Sequence, residues 1–240
     1  MGRVVSRQGL KIDPKKIEAV LKLQRPKLKK DVRSFLGFVS YHRNFIPNFA
    51  RITAPLNELI KKKMPTKVKW NDKCEQAFNQ LKNALSSAPI LAFPDFSKEF
   101  SLETDASKLQ IAAVLLQKQD GQRVMISCVS RTLTPAEQNY SIVELECLAV
   151  VYGIQQFRSY LFGRHFTVFT DQRSLKWLMK MKNPSGRLAR WVISLQQYDF
   201  TIEYKPGSEN LAADALSRLP KRKRSSSQED LCVFLNQKKT

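Results

Sequence analysis

Apolar residues recur at helical spacing through the first third of the chain. Ile17, Val20 and Leu21 follow Asp13-Pro14, a pair suited to a helix N-cap and first helical position. Val32, Phe35, Leu36 and Val39 make a second stripe. Cys74, Ala77, Phe78, Leu81, Ala84 and Leu85 make a third, between an Asn71-Asp72 start and Pro89. The period then changes to two. The run from Phe100 to Asp105 alternates and breaks at Ala106-Ser107, after which Ile111 to Gln117 and Arg123 to Val129 flank Asp120-Gly121, a two-residue hairpin signal. Thr134 to Glu137 and Ser141 to Glu144 have capping-box spacing, so a helix is predicted from about 141 to 160 with Leu145, Leu148, Ala149 and Tyr152 facing inward. A strand at Phe166 to Thr170 follows. Beyond it come a helical stretch from Ser174, a break at Pro184-Ser185-Gly186, a helix through Trp191, a strand at Phe200 to Tyr204, a Pro206-Gly207 turn and a last helix ending near Arg218. Strands first, then strand and helix alternating, predict a mixed sheet covered by helices.

Composition adds a partner to this outline. The 240 residues carry 41 Lys and Arg against 21 Asp and Glu, a formal charge of +20 that points to a polyanion. No apolar run approaches the roughly 20 residues of a membrane span, and the N-terminus lacks the apolar core of a signal peptide. Hydrophobic residues at 42% suffice for a core. Four single cysteines, with no CxxC and only two histidines, argue against a zinc site and a disulfide framework and suit a reducing intracellular compartment. The charge is unevenly placed: residues 1–95 have 20 basic and 7 acidic positions, 96–220 have 15 and 12, and 221–240 have 6 and 2. Two domains and a tail are expected.

The runs ending in Asp105 and Asp171 echo each other as Phe, Ser or Thr, aliphatic, any residue, Thr, Asp. At a two-residue period each aspartate falls opposite its strand's apolar side. If the strands are parallel neighbours, both carboxylates meet at one sheet edge, where ligands sit in open α/β sheets; alone, each would merely cap the turn that follows. Glu146, next to the inward-facing Leu145, and Asp214, inside a helical Leu-Ala-Ala-Asp-Ala-Leu stretch, are the other acids whose surroundings demand compensation. Clustered carboxylates raise one another's pKa values unless a cation sits among them, and an all-oxygen set selects Mg²⁺ or Mn²⁺. Two such ions would support phosphodiester cleavage.

The segments SFLGFVSYHRNFIPNFARITAPLNELIKK, APILAFPDFSKEFSLETDAS, SRTLTPAEQNYSIVELECLAVVYGIQQFRSYLFGR, FTVFTDQRSLKWL and NPSGRLARWVISLQQYDFTIEYKPGSENLAADALSRLP resemble the reverse transcriptases of gypsy-type LTR retrotransposons, from thumb and connection through ribonuclease H. The resemblance runs from about residue 8 to 220. It implies an α/β fold with a ribonuclease H-like mixed five-stranded sheet and flanking helices at 96–219, preceded at 1–95 by a small, mainly helical thumb/connection region and followed at 220–240 by a basic, disordered tail. It implies Mg²⁺-dependent cleavage of the RNA strand of RNA/DNA hybrids, with Asp105, Glu146, Asp171 and Asp214 as catalytic metal ligands for two ions. The polymerase palm with its paired aspartates is missing, so this chain alone is not expected to polymerise; the rest of a reverse transcriptase, in cis or in trans, is an expected partner. The histidine that cellular ribonucleases H carry before the last helix is also missing, His42 and His165 lying elsewhere.

Between Gln172 and Tyr198 the basic residues Arg173, Lys176, Lys180, Lys182, Arg187 and Arg190 occur without an acid, interleaved with Trp177 and Trp191. They suit phosphate contact, while both tryptophans fit either a stacking platform or the core. Lys221 to Arg224 resembles a short nuclear-import signal, so the expected location is cytoplasmic or nuclear. The competing expectation is a non-catalytic nucleic-acid-binding remnant or co-opted element fragment, from which the four intact carboxylates argue away.

Overall fold

The computed structural model describes residues 2–173, 175 and 186–206. The last predicted helix with Asp214, the stretch with Lys176, Lys180, Lys182 and Trp177, and the tail from 220 lie outside the described residues.

The predicted helices form where their caps allow. Helix α1 (Pro14–Leu21) starts with the Asp13 side chain accepting from the Lys15 amide. Helix α2 (Lys29–Tyr41) buries Val32, Phe35, Leu36 and Val39. Helix α4 (Asp72–Ser86) is capped by Asn71, whose side chain accepts from the Cys74 amide at 2.9 Å.

Two elements escaped the periodicity. A hairpin of β1 (Arg3–Ser6) and β2 (Gly9–Ile12) opens the chain, each strand only four residues long and so below the length at which alternation becomes legible. Helix α3 (Phe49–Leu59) runs through Pro55, which reads as a breaker in sequence. It persists because Ile52, Leu56 and Leu59 are buried, which outweighs the one backbone hydrogen bond that proline removes.

The five-stranded sheet has the order β5-β4-β3-β6-β7. Strands β3 (Phe100–Ala106), β4 (Gln110–Gln119) and β5 (Gln122–Thr132) form an antiparallel meander. Asp120 and Gly121, at φ 49° and 79°, turn between β4 and β5 in the doubly positive conformation of a type I′ hairpin. Strands β6 (His165–Thr170) and β7 (Asp199–Tyr204) then add parallel to β3 and to each other.

Glu137 completes the first capping box, but that box opens a single 3₁₀ turn at Glu137–Asn139. The bidentate Arg131 guanidinium beside it holds the Glu137 carboxyl down to about 2. The second box, at Ser141 and Glu144, starts α5 (Ile142–Gln156). The helix predicted to about 160 stops at Gln156, and a separate turn, α6 (Arg158–Leu161), follows Phe157. Helix α7 (Gly186–Leu195) precedes β7.

Both faces of the sheet are covered. Alternation along β4 sends Ala113 and Leu115 toward α5, in a cluster with Phe100, Leu102, Val150 and Ile154. Val114 and Leu116, with Met125 and Cys128 of β5, join the cluster built by α1 to α4. Polar contacts pin that second layer: the Ala50 amide donates to Ser130 Oγ at 2.9 Å, Gln110 Nε2 to Asn48 Oδ1 at 2.8 Å, and the Cys128 thiol to the Asn44 carbonyl at 3.1 Å. The described cysteines, Cys74, Cys128 and Cys147, are buried and unpaired. No helix among the described residues is long and apolar enough to cross a membrane.

Helix α5 sits unusually close to the sheet at Gly153, where an added Cβ would lie 2.7 Å from Ala113 Cβ and 3.3 Å from Leu102 Cδ2. Alanine normally gains about 1 kcal/mol over glycine inside a helix, whereas overpacking costs about 1–3 kcal/mol. Gly153→Ala should therefore lower the melting temperature, and adding Ala113→Gly should recover part of the loss. A higher melting temperature for the single variant would show that α5 does not approach the strands this closely.

Candidate active site

Strands β3 and β6 are parallel neighbours, with Phe100 opposite Phe166 and Glu103 opposite Phe169. The same offset carries Asp105, near the end of β3, to Asp171, which directly follows β6. The two predicted aspartates thus leave the sheet at one edge. Asp105 is half-buried and Asp171 exposed, and the Gln172 amide turns back to donate to Thr170 Oγ1 at 3.2 Å.

Glu146 arrives on α5. The capping box fixes the phase of that helix, and Leu145, Glu146 and Cys147 are all buried. Glu146 is 4% exposed, and its Oε2 has no hydrogen-bond partner among the described residues. Burial, then the charges of Asp171 and Asp105, push its carboxyl up to about 8. Asp105 is also raised, by burial first and then by Asp171; the Arg51 charge and the Ala106 amide partly offset this. Three of the four predicted carboxylates are therefore close enough to feel one another's charge. Among the described residues, however, no three acidic, His or Cys side chains are gathered tightly enough to hold one metal ion, and Asp214 is outside them.

The donor chemistry nonetheless fits a hard dication. The set is all carboxylate, its members repel, and one buried oxygen lacks a partner, which are the deficits that Mg²⁺ or Mn²⁺ relieves. The histidines are not part of it. His165, at the start of β6, pairs through Nδ1 with Asp199 at 2.9 Å, at the other end of the strand from Asp171. His42 is buried among Phe38, Tyr41 and Phe45, and burial with the nearby Arg3 charge lowers its pKa.

Two residues beside the site are not legible in sequence. Glu103, two positions before Asp105 on the same side of β3, has a fully buried carboxylate that accepts from Arg123 Nη2 at 2.6 Å and from Lys205 Nζ at 2.7 Å. Arg123 lies on edge strand β5 and Lys205 just beyond edge strand β7, so one carboxylate on the central strand ties in both sides of the sheet. Arg51 of α3 reaches Asp105 electrostatically; in sequence it is one cation among many. Of the predicted basic ridge, Arg173 lies over the Tyr204 ring at 4.3 Å. Arg187 lies over the Tyr140 ring at 3.8 Å and 3.5 Å from Glu144 Oε1, while Arg190 is exposed. Trp191 packs against the sheet and helix clusters and against Tyr140, which assigns it to the core.

Comparison with known proteins places these features in a family. Residues 95–198 match the model of the RNase H-like domain found in reverse transcriptase. The chain is 43% identical over 221 residues to the retrovirus-related Pol polyprotein from transposon 297 of Drosophila melanogaster, covering 91% of this chain and 20% of that polyprotein. It is 40% identical to the corresponding polyprotein from transposon gypsy of the same organism, over 91% of this chain and 22% of the other. The transposon Tf2-3 polyprotein of Schizosaccharomyces pombe is 39% identical, over 91% and 17%. The chain thus spans about a fifth of the length of these relatives. The fold is similar to that of a foamy viral protease-reverse transcriptase in complex with RNA/DNA hybrid, with TM-score 0.68 and 20% identity over 95% of this chain and 30% of that one. A form of that enzyme solved with double-stranded DNA gives 0.72 and 22% over 85% and 37%.

Two outcomes follow from this geometry. Glu146 has its folded-state pKa raised above the ordinary carboxylate value, so its ionisation opposes folding: in metal-free buffer stability should fall as pH rises from about 4.5 toward 8. Glu146→Gln should remove that loss and melt above the parent protein at pH 9 but not at pH 4.5; identical pH–melting curves would refute the burial argument. Glu103→Ala strands two cations, which costs about 3–5 kcal/mol in a fully buried pair. Because Arg123 is 38% exposed and can turn to water, a loss of about 2 kcal/mol is expected from urea titration.

Proposed function

The chain belongs with the Pol polyproteins of LTR retrotransposons and carries an RNase H-like domain at residues 95–198, and from that premise we propose that it cuts the RNA strand of RNA/DNA hybrids in a Mg²⁺-dependent reaction. The observation that carries this reading is the convergence of Asp105, Asp171 and the unpaired oxygen of Glu146 at one sheet edge. Residues 1–95 would serve as the thumb/connection segment, and the remainder of such a polyprotein is the proposed partner.

In this reading Asp105, Glu146, Asp171 and Asp214 hold the cations, which when bound supply an activated water and stabilise the leaving oxygen. The chain's own task is placement. The parallel pairing of β3 and β6 fixes the spacing of Asp105 and Asp171. Helix α5 holds Glu146 in an apolar wall, where ionisation becomes favourable only against positive charge. Glu103 steadies the sheet beneath them through Arg123 and Lys205. Arg190, with Lys176, Lys180 and Lys182, is the part of the basic ridge proposed to track phosphates, and preference for a hybrid would come from duplex shape and the RNA 2′-hydroxyls. Neither histidine is placed to carry a proton, so product leaves without that assistance and turnover is expected to be slow.

The test uses a hybrid with end-labelled RNA and Mg²⁺. Asp105→Asn should lower cleavage at least about 100-fold, in line with the several kcal/mol a metal centre supplies, and EDTA should abolish it. Cleavage by the parent protein no greater than that by the variant would favour the non-catalytic, nucleic-acid-binding alternative.

A further inference from the structure

Helix α3 starts against the ends of β4 and β5 that flank the carboxylate edge, through the Asn48–Gln110 and Ala50–Ser130 hydrogen bonds. Between α3 and α4 at this end lies an open cleft of about 300 Å³. Its polar lining is Asn48, Arg51, Lys73, Gln76 and Gln80, and no acidic residue among those described lines it. Lys73, Gln76 and Gln80 share one face of α4 and extend along about 10 Å of its axis at 1.5 Å per residue. Among the described residues, the side chains of Arg51, Lys73, Gln76 and Gln80 make no hydrogen bond or salt bridge. Helix α4 carries two acids, Asp72 and Glu75, and neither lines the cleft; Glu75 accepts instead from Trp70 Nε1 and Asn79 Nδ2.

A recess lined by cations and amide donors, without a carboxylate, suits an anion. Its donors form a row, which suits a chain of anions better than a single one. Arg51, on the α3 wall of the cleft, is close enough to Asp105 for the two charges to interact, so a strand held in the cleft passes beside the acidic site.

We propose that the α3–α4 cleft binds the sugar–phosphate backbone of one strand of the nucleic-acid substrate, Arg51 holding the phosphate next to the carboxylates and Lys73, Gln76 and Gln80 those beyond it. The proposal rests on the hydrolytic reading for the kind of nucleic acid involved, but the binding it describes needs no catalysis. It gives the helical layer a direct part in aligning the strand that reaches Asp105, and it gives the cleft's cations an anion to meet beside an acidic edge.

The test is fluorescence anisotropy of the full chain with a 20-base-pair RNA/DNA hybrid in EDTA, across a range of salt, alongside Mg²⁺-dependent cleavage. Each phosphate-bound cation removed should reduce the slope of log affinity against log salt by about 1. Arg51→Ala and Lys73→Ala should each do so, and the double variant should bind about 10-fold more weakly at 0.1 M salt. Arg51→Lys should keep the slope while binding between the parent and Arg51→Ala, since lysine retains the charge without the planar fork. Lys118→Ala, on the exposed end of β4 away from the cleft, should leave the slope unchanged. Parent-like slopes for both cleft variants, or an equal loss for Lys118→Ala, overturn the proposal. If the parent cleaves while the cleft variants bind normally, only the cleft assignment fails; if the cleft variants lose binding and the parent does not cleave, only the hydrolytic reading fails.

Discussion

For two strands to lie side by side in parallel, the chain between them must travel back to the starting end of the sheet. Between β3 and β6 that return is made by β4, β5 and α5, and the rest of the site follows from it. The meander widens the sheet, giving α5 a surface to cross, and Gly153 lets the helix settle close against Ala113 and Leu102. Once α5 is seated, Glu146 has no position except beside the two strand ends. The burial that stabilises the helix is thus the same burial that makes its one inward carboxylate costly to ionise.

Much of this was legible in sequence because the signals were local or repeated. The Phe-to-Asp echo gave both strand ends and their shared edge, and the Ser141–Glu144 box marked where α5 begins. The Asp120-Gly121 pair gave the hairpin turn. What escaped was set by tertiary contact. The four-residue strands of the N-terminal hairpin gain their place partly from Leu10 bridging to Leu91, and α3 overrides Pro55 by burying its apolar stripe. Glu103 carries no signal in the sequence, because the two cations that close on it come from opposite sides of the sheet and are far from it in the chain. Trp191, which suits stacking and packing equally as a letter in a basic run, is fixed by its neighbours.

The electrostatic layout gives the overall charge of +20 a direction. Acid is concentrated where β3, β6 and α5 meet, and basic residues accompany it: Arg51 of α3 interacts with Asp105, Arg173 lies two positions after Asp171, and Arg187 pairs with Glu144 at the start of α5. A polyanion is drawn to such a surface as a whole while being repelled at its most acidic point, an opposition that only bound cations resolve. Arg187 is also committed to Glu144 and Tyr140, so it both holds the start of α5 and contributes to the field.

The position near residue 95, where the hydrophobic period changes, marks a change of architecture but not the edge of a sealed core. Val114, Leu116, Met125 and Cys128 belong to the same cluster as Phe35, Phe45, Leu56 and Leu81. Trimming the chain to begin at residue 96 would keep every proposed ligand yet strip one face of the central sheet, presenting to water a contiguous apolar surface of the kind that drives self-association. The helical layer therefore keeps that face from water, and autonomy of the sheet would have to be engineered by making those positions polar.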